Sequence, residues 1–459
     1  MGRIDVNPEI FREYDIRGVV GKDLTPTTVE LLGRAYGTYI QEFGGREVIV
    51  GRDNRASSEE FREALVAGLL STGCDVVDIG LVVTPIFYFS RLHYGIDGGV
   101  MITGSHNPPE FNGFKMSHGH ATIYGEEIQK IRGIIERGQF TTGRGRQRHV
   151  DPVPAYLSTI KERVKLGRRL KVVVDAGNGT AGLFAPGLLE DLGCDVVPLY
   201  CDSDPTFPHH FPDPVKPENL RDLIATVQRT GADLGVAFDG DADRIGAVDE
   251  KGQVIWGDTL MILYWREILP RHPGAAAIIE VKCSQALVDE VKRLGGQPFF
   301  YRTGHSLIKA KMKEIGAVFT GEMSGHMFFA DEYFGFDDAL YAAARLLRIL
   351  SHAEKPLSAL TADIPRYYST PEIRVDCSDR EKFQVVEEIK ASFRREYEVI
   401  AVDGARVLFP EGWGLVRASN TQPVLVVRAE ARTPEGLEAI KARLADQLRR
   451  FPSVGPLNW

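Results

Sequence analysis

The 459-residue chain has no excess of positive charge: Lys and Arg number 55 against 63 Asp and Glu, a net charge of −8. Binding to a polyanion relies on a positive face, so neither nucleic acid nor an anionic membrane is an expected partner, although local basic clusters can still hold small anions. No uninterrupted apolar run approaches the roughly 20 residues of a membrane span. The amino terminus, Met1-Gly2-Arg3-Ile4-Asp5-Val6, has no apolar core for a secretory signal, and Val6 stands where a myristoylation motif needs Ser or Thr. The five cysteines (Cys74, Cys194, Cys201, Cys283, Cys377) are odd in number and scattered, with no C-x-x-C to suggest zinc or redox chemistry, which fits a reducing cytoplasm. Also missing is any G-x-x-x-x-G-K-[ST] phosphate loop, and Thr103 occupies the place before Ser105 where a hydrolase nucleophile elbow needs glycine.

Apolar residues make up 43% and charged residues 26%, as in soluble globular chains, and the length predicts three or four domains at about 150 residues each, every one able to bury its own core. A first α/β unit shows a strand Glu47–Val50, a polar loop Gly51–Arg55, and a helix opened by Ser57 with Glu60 three residues on, the spacing of a capping box. The order recurs with strand Lys171–Val174, loop Asp175–Gly179 and a helix. The pentapeptide G-C-D-V-V follows both helices, at Gly73–Val77 and Gly193–Val197. A fainter copy runs through Ala277–Lys282 to Gly295–Phe300. The remainder differs: strands at Arg406–Phe409, Gly414–Ala418 and Val424–Ala429 lie between a helix Arg380–Tyr397 and one starting at Thr433-Pro434. Boundaries fall in the basic, glycine-containing stretch Gly143–Pro154, near Glu250–Gly257, and around Ile364–Pro371. The expected domains are 1–150, 151–253, 254–366 and 367–459.

Four stretches carry chemistry. Thr103-Gly104-Ser105-His106-Asn107-Pro108-Pro109 follows the apolar strand Gly99–Ile102, so an exposed Ser105 hydroxyl sits at a strand's carboxyl end, where α/β sheets bind ligands. Asp239-Gly240-Asp241-Ala242-Asp243-Arg244 offers three alternate carboxylates that can converge on one hard cation. An EF-hand is excluded because Arg244 takes its glycine position and the flanks read as strands. Gly321-Glu322-Met323-Ser324-Gly325-His326 can present a carboxylate and a hydroxyl to vicinal sugar hydroxyls. Arg417-Ala418-Ser419-Asn420-Thr421, between strands, offers a phosphate a guanidinium, hydroxyls and an amide. Any one of the four is also compatible with an ordinary turn. Gly177-x-Gly179-x-x-Gly182, with Asp202 beyond it, mimics a dinucleotide fingerprint and reads instead as a tight structural loop, NAD binding being the lesser alternative.

Together and in this order the four runs resemble the α-D-phosphohexomutases over the whole chain. T-G-S-H-N-P is similar to the family's phosphoserine loop, D-G-D-A-D-R to its magnesium loop, G-E-M-S-G-H to its sugar-binding loop and R-A-S-N-T to its phosphate-binding loop. Met323 favours the bacterial members acting on both mannose and glucose phosphates, since glucosamine-phosphate mutases usually differ there. The resemblance implies three related α/β domains, with mixed sheets covered by helices, and a smaller C-terminal α+β domain around a central cleft in a monomer. It implies Mg2+ on Asp239, Asp241, Asp243 and phosphorylated Ser105, with a hexose 1,6-bisphosphate as intermediate and activator. Tyr14, Arg17, Lys115, Lys282, His305 and His326 match positions lining the family's cleft. Lys115 and His305 are then expected as general bases, with His106 and Arg244 beside the reacting groups. Glu322 and Ser324 hold the ring, and Arg417, Ser419, Asn420 and Thr421 hold the second phosphate. The alternatives are a glucosamine-phosphate mutase and a catalytically silent sugar-phosphate-binding protein on the same fold.

Overall fold

The computed structural model describes residues 6–119, 121–420 and 422–459. The Met1–Asp5 segment read for targeting and Thr421 of the expected phosphate loop lie outside them. The described residues form four sheets. The first contains β1 (Ile16–Val19), β2 (Glu47–Arg52), β3 (Asp75–Leu81), β4 (Gly98–Ile102), β5 (Phe111–His118), β6 (Ala121–Thr122) and β7 (Gln147–His149). The second contains β8 (Lys171–Asp175), β9 (Asp195–Leu199), β10 (Leu234–Phe238), β11 (Ile245–Asp249) and β12 (Val254–Ile255). The third is β13 (Ala276–Glu280), β14 (Gln297–Tyr301), β15 (Phe319–Gly321) and β16 (Met327–Phe329). The fourth is β17 (Tyr368–Ser369), β18 (Ile373–Asp376), β19 (Glu398–Ile400), β20 (Ala405–Phe409), β21 (Gly412–Ala418) and β22 (Val424–Ala431).

The first three sheets repeat one plan. Their central orders are β5-β4-β2-β3, β11-β10-β8-β9 and β16-β15-β13-β14. In each, the first three strands are parallel and the fourth turns back antiparallel on the third. The two G-C-D-V-V segments enter β3 and β9, each paired in parallel with the strand that opens its unit, Asp75 opposite Glu47 and Asp195 opposite Lys171. Three of the four motifs occupy one topological position, the link from third to fourth strand: the serine loop joins β4 to β5, the aspartate loop β10 to β11, and Glu322–His326 joins β15 to β16. All pairings of the fourth sheet are antiparallel, with helices Lys382–Phe393 and Pro434–Leu448 packed on it, an α+β arrangement.

Several local expectations change. Ser57 caps nothing: the helix Ser58–Ser71 lacks a side-chain cap bond there, because the Ser57 hydroxyl instead accepts from the Asn112 amide at 2.8 Å. Thr433 does cap its helix, accepting the Gly436 N–H. The basic stretch Gly143–Pro154, expected as a domain boundary, contributes β7, which adds to β3 at the sheet edge. An apolar cluster running from Ile49 through Val174, Trp265 and Phe319 to Leu357 spans the three α/β units, beside a separate core of the first unit around Tyr36 and Phe61 and one of the fourth around Val407. In the dinucleotide-like loop, a Cβ on Gly182 would fall 2.1 Å from the Cys201 carbonyl oxygen, so glycine there serves close packing. No helix among the described residues is long and apolar enough to cross a membrane.

At the junction of the second and third units, buried Asp338 caps helix Ala339–His352 and accepts the hydroxyls of Tyr156 at 3.0 Å and Tyr333 at 2.8 Å. Burial, only partly offset by these donors, pushes its carboxyl up to about 6. The folded state then binds this proton more tightly than the unfolded chain. The group favours folding below about pH 4, and that contribution is lost as pH rises through 6. Asp338→Asn, which cannot ionise, should gain on the wild type by on the order of 2 kcal/mol between pH 4 and pH 7 in urea-denaturation free energies. A pH-independent difference would show that the carboxyl ionises freely in the fold.

Candidate active site

Ser105 lies just past the end of β4 with φ +50°, a left-handed conformation that costs a non-glycine residue about 1–2 kcal/mol and that surrounding contacts must hold. Arg55 does so. Its guanidinium donates to the carbonyls of Ser105, Asn107, Pro108 and Phe111 at 2.5–2.9 Å, and pairs with Asp53 at 3.3 Å. Asp53 in turn accepts the Gly104 N–H at 3.0 Å. The serine is not exposed as expected. It is 2% accessible, because the aspartate loop of the second unit closes over it. Its hydroxyl donates to Asp239 Oδ2 at 2.8 Å and meets His106 Nδ1 at 3.2 Å. Gly240 permits this approach: a Cβ there would stand 2.4 Å from the Ser105 carbonyl oxygen.

Asp239, Asp241 and Asp243 are fully buried, with carboxylate oxygens within 4.8 Å of one another. Asp239 Oδ1 receives the N–H groups of Asp243 and Arg244, and Asp241 Oδ2 receives the Thr84 hydroxyl at 2.7 Å. Lys115, on β5, donates to Asp241 at 2.7 Å and to Asp243, and the two carboxylates hold its ammonium charged against the cost of burial. In that geometry Lys115 is a counter-charge to Asp241 and Asp243. Lys115 and, at 3.9 Å from Asp239, Arg244 do not fully balance the trio: burial, then Asp243 and Asp241, push Asp239 well above the usual carboxylate range. Asp241 Oδ1 and Asp243 Oδ1 have no hydrogen-bond partner. Hard oxygen donors short of positive charge fit a divalent cation such as Mg2+.

The third loop is a tight hairpin in which Glu322 turns inward to accept the Gly304 N–H at 2.8 Å, while Ser324 stays half-buried at the turn. His326 is buried, with Nε2 accepting from Arg244 at 3.0 Å and Nδ1 3.0 Å from Asp337. His305, at the start of helix His305–Ile315, stacks on His326 at 5.4 Å between ring centroids. Burial and Lys309 keep His305 well below the usual histidine range, and burial with Arg244 and Arg17 does the same to His106.

The fourth unit closes the circle. Arg417 pairs with Asp403 at 3.0 Å, Ser419 accepts the Gln422 N–H, and Asn420 donates to the Tyr14 hydroxyl at 2.6 Å. That hydroxyl donates to the Thr303 carbonyl at 2.8 Å, so Tyr14 touches the third and fourth units at once. Lys282 pairs with Glu372 at 2.9 Å. Although burial pushes Glu372 up, Lys282 and Arg374 bring its carboxyl down to about 2. Arg17 pairs with Asp15. Sequence reasoning missed Arg55, Thr84, Asp337 and Glu372. Arg55 stands in a polar loop it had singled out, and Asp337 beside a helix cap, but neither carries a motif.

Models of the phosphoglucomutase/phosphomannomutase family match the chain in order: alpha/beta/alpha domain I over residues 8–142, domain II over 154–252, domain III over 256–368 and the C-terminal domain over 372–447. A phosphomannomutase/phosphoglucomutase of Pseudomonas aeruginosa is 47% identical over 451 residues, 98% of this chain and 97% of its own. A phosphoglucomutase of Neisseria gonorrhoeae is 45% identical over 454 residues, 98% of each. Among solved structures, a phosphoglucomutase/phosphomannomutase family protein of Burkholderia thailandensis superposes with a TM-score of 0.94 at 43% identity, covering 99% of this chain and 100% of its own.

If Arg55 holds the serine loop, Arg55→Met should speed amide hydrogen exchange at Gly104, Ser105 and Asn107 by about tenfold or more, since four carbonyls and Asp53 lose their partner. Unchanged exchange there would assign the loop's conformation to other contacts.

Proposed function

The chain belongs to the phosphoglucomutase/phosphomannomutase family and is a phosphohexomutase, an isomerase of carbohydrate metabolism; from that premise we propose how its own residues move the phosphate. The observation that carries the reading is the Ser105 hydroxyl set 2.8 Å from a carboxylate of a buried, cation-deficient trio. In its active form Ser105 is phosphorylated. The phosphoryl group passes to the free hydroxyl of a hexose 1- or 6-phosphate: the serine O–P bond breaks, the sugar O–P bond forms, the sugar hydroxyl proton leaves to His305, and the departing Ser105 oxygen takes up a proton to become the hydroxyl that donates to Asp239. Neutrality of the buried His305 imidazole leaves it a lone pair for that proton. The resulting 1,6-bisphosphate turns over in the cleft and returns its other phosphate to Ser105, and the same compound serves as activator.

Asp239, Asp241, Asp243 and the phosphorylated Ser105 would hold Mg2+. When bound, the ion supplies positive charge against the phosphoryl oxygens, which otherwise repel the incoming oxygen. Lys115 and Arg244 add fixed positive charge around the same group, and His106 orients the serine. Glu322, Ser324, Lys282 and His326 hold the ring in either orientation, while Arg417, Ser419, Asn420 and Thr421 hold the phosphate that is not reacting. Tyr14 and Arg17 line the cleft between them. Domains 1–150, 151–253, 254–366 and 367–459 each contribute one loop. The enzyme acts as a cytoplasmic monomer on small hexose phosphates, a reading supported by five free cysteines, as a reducing compartment keeps them.

Intact-mass spectrometry of the purified enzyme should find one added phosphate that is absent from Ser105→Ala, and that variant should lose at least about 10³-fold in mutase turnover, as loss of a covalent nucleophile does. Full turnover in Ser105→Ala would rule out the phosphoserine route. In coupled assays with the 1-phosphates of mannose, glucose and glucosamine, the first two should be used with comparable kcat/KM and the amino sugar poorly. A preference for glucosamine would overturn the assignment drawn from Met323.

A further inference from the structure

Two cations share one carboxylate beside the phosphate loop. Glu372 Oε2 accepts from the Lys282 ammonium at 2.9 Å, and Oε1 accepts from Arg374 Nη2 at 3.1 Å and Nε at 3.3 Å. The three groups together leave one positive charge in excess. It reaches solvent through Arg374, whose side chain is 55% exposed, whereas that of Lys282 is buried.

Arg374 stands on β18 of the fourth unit, and its Nη1 donates to the Gln422 side-chain oxygen at 2.5 Å. Gln422 follows the phosphate loop directly: its N–H donates to Ser419 Oγ, and Lys382 holds its carbonyl. Arg374 also lies within electrostatic reach of the serine loop. Burial first, then the charges of Arg244, Arg17 and Arg374, keep the His106 imidazole well below the usual histidine range. Guanidinium groups of the first, second and fourth units thus gather on the serine side of the cleft, Arg374 being the one on the fourth. Glu372 and Gln422 use three of its five N–H groups, which leaves one on each terminal nitrogen among the described contacts. A neutral amide oxygen is a weak partner for a guanidinium, whereas a phosphate offers a charged, bidentate one. Exposure leaves the side chain free to exchange one for the other by rotation. A hexose monophosphate has only the phosphate that Arg417, Ser419 and Asn420 hold. The 1,6-bisphosphate has a second, and while it turns neither end is in its place.

We propose that Arg374 is a further substrate-binding residue, specific to the bisphosphate: its guanidinium takes the phosphate that faces the serine loop and keeps the intermediate in the cleft while it turns. This role rests on the mutase reading and involves no bond-making step.

Binding of glucose 1,6-bisphosphate and of glucose 1-phosphate to full-length Ser105→Ala, which lacks the phosphoryl acceptor, is measured by calorimetry. Adding Arg374→Gln should weaken the bisphosphate at least about tenfold and the monophosphate less than about threefold. With Ser105 intact and carrying radiolabelled phosphate, a single turnover on glucose 1-phosphate should release at least about tenfold more label as free bisphosphate from Arg374→Gln than from the wild type. Arg12→Gln is the control, because Arg12 pairs with Asp379 at 3.8 Å across the seam of the first and fourth units without facing the phosphate loop's Gln422. It should leave both measurements as in the wild type. Unchanged bisphosphate affinity, equal weakening of both ligands, or the same release from Arg12→Gln would each overturn the proposal, the second by placing Arg374 on the loop phosphate and the third by making the effect one of closure. Full turnover in Ser105→Ala would sink the phosphoserine route but not the difference in affinity, so the two readings fail separately.

Discussion

Four carboxylates, those of Asp239, Asp241, Asp243 and Asp337, are fully buried where the three α/β units meet. Ionised groups taken out of water cost several kcal/mol each unless opposite charge reaches them. Here that charge comes from other parts of the chain: Lys115 from the first unit, Lys309 from the third, and Arg244 from the aspartate loop itself. The site therefore exists only as an assembled object. Separating the units would part these carboxylates from their counter-charges and expose the apolar cluster that spans them.

The repeated sheet plan explains how one chain could assemble such a centre. Each α/β unit presents the link between its third and fourth strands toward the same point, and each link bears different chemistry: a hydroxyl, a carboxylate trio, and a carboxylate beside an imidazole. The interlock is carried by backbone as well as side chains. The Ile245 N–H donates to the Gly325 carbonyl, and the Thr84 N–H to the Asp241 carbonyl, so each loop is a template for its neighbour.

What was legible in the sequence follows from where the information lies. The four loops could be read because phosphoryl transfer demands particular residue types at close spacing, and their order along the chain did the rest. The strands Leu234–Phe238 and Gly99–Ile102 announced themselves as continuous apolar runs, the latter one residue short of its observed start at Gly98, and Thr433-Pro434 as a helix start. Contacts made across long sequence separations could not be read. Ser57 has a capping sequence, yet Asn112 claims its hydroxyl; Arg55 reaches carbonyls some fifty residues on; and Ser105 is buried by a loop from another unit. Nor did the sequence reveal that the motifs share one topological position, since pairing order is a property of the sheets.

The Tyr14 hydroxyl, shared between Thr303 and Asn420, has a kinetic meaning. The fourth unit is anchored to the third by Arg406, which donates to the carbonyls of Val281 and Cys283 and lies 3.6 Å over the Trp413 ring, whereas Asn420 reaches the first unit through one hydrogen bond to Tyr14. A hydrogen bond of this kind is worth about 1 kcal/mol net, so thermal agitation alone breaks it in roughly one molecule in six. The Arg12–Asp379 pair across the same seam is partly exposed at 3.8 Å and adds little. Among the described residues the mouth between the first and fourth units is thus secured by few and weak contacts, while the charged interior beneath it is held by many.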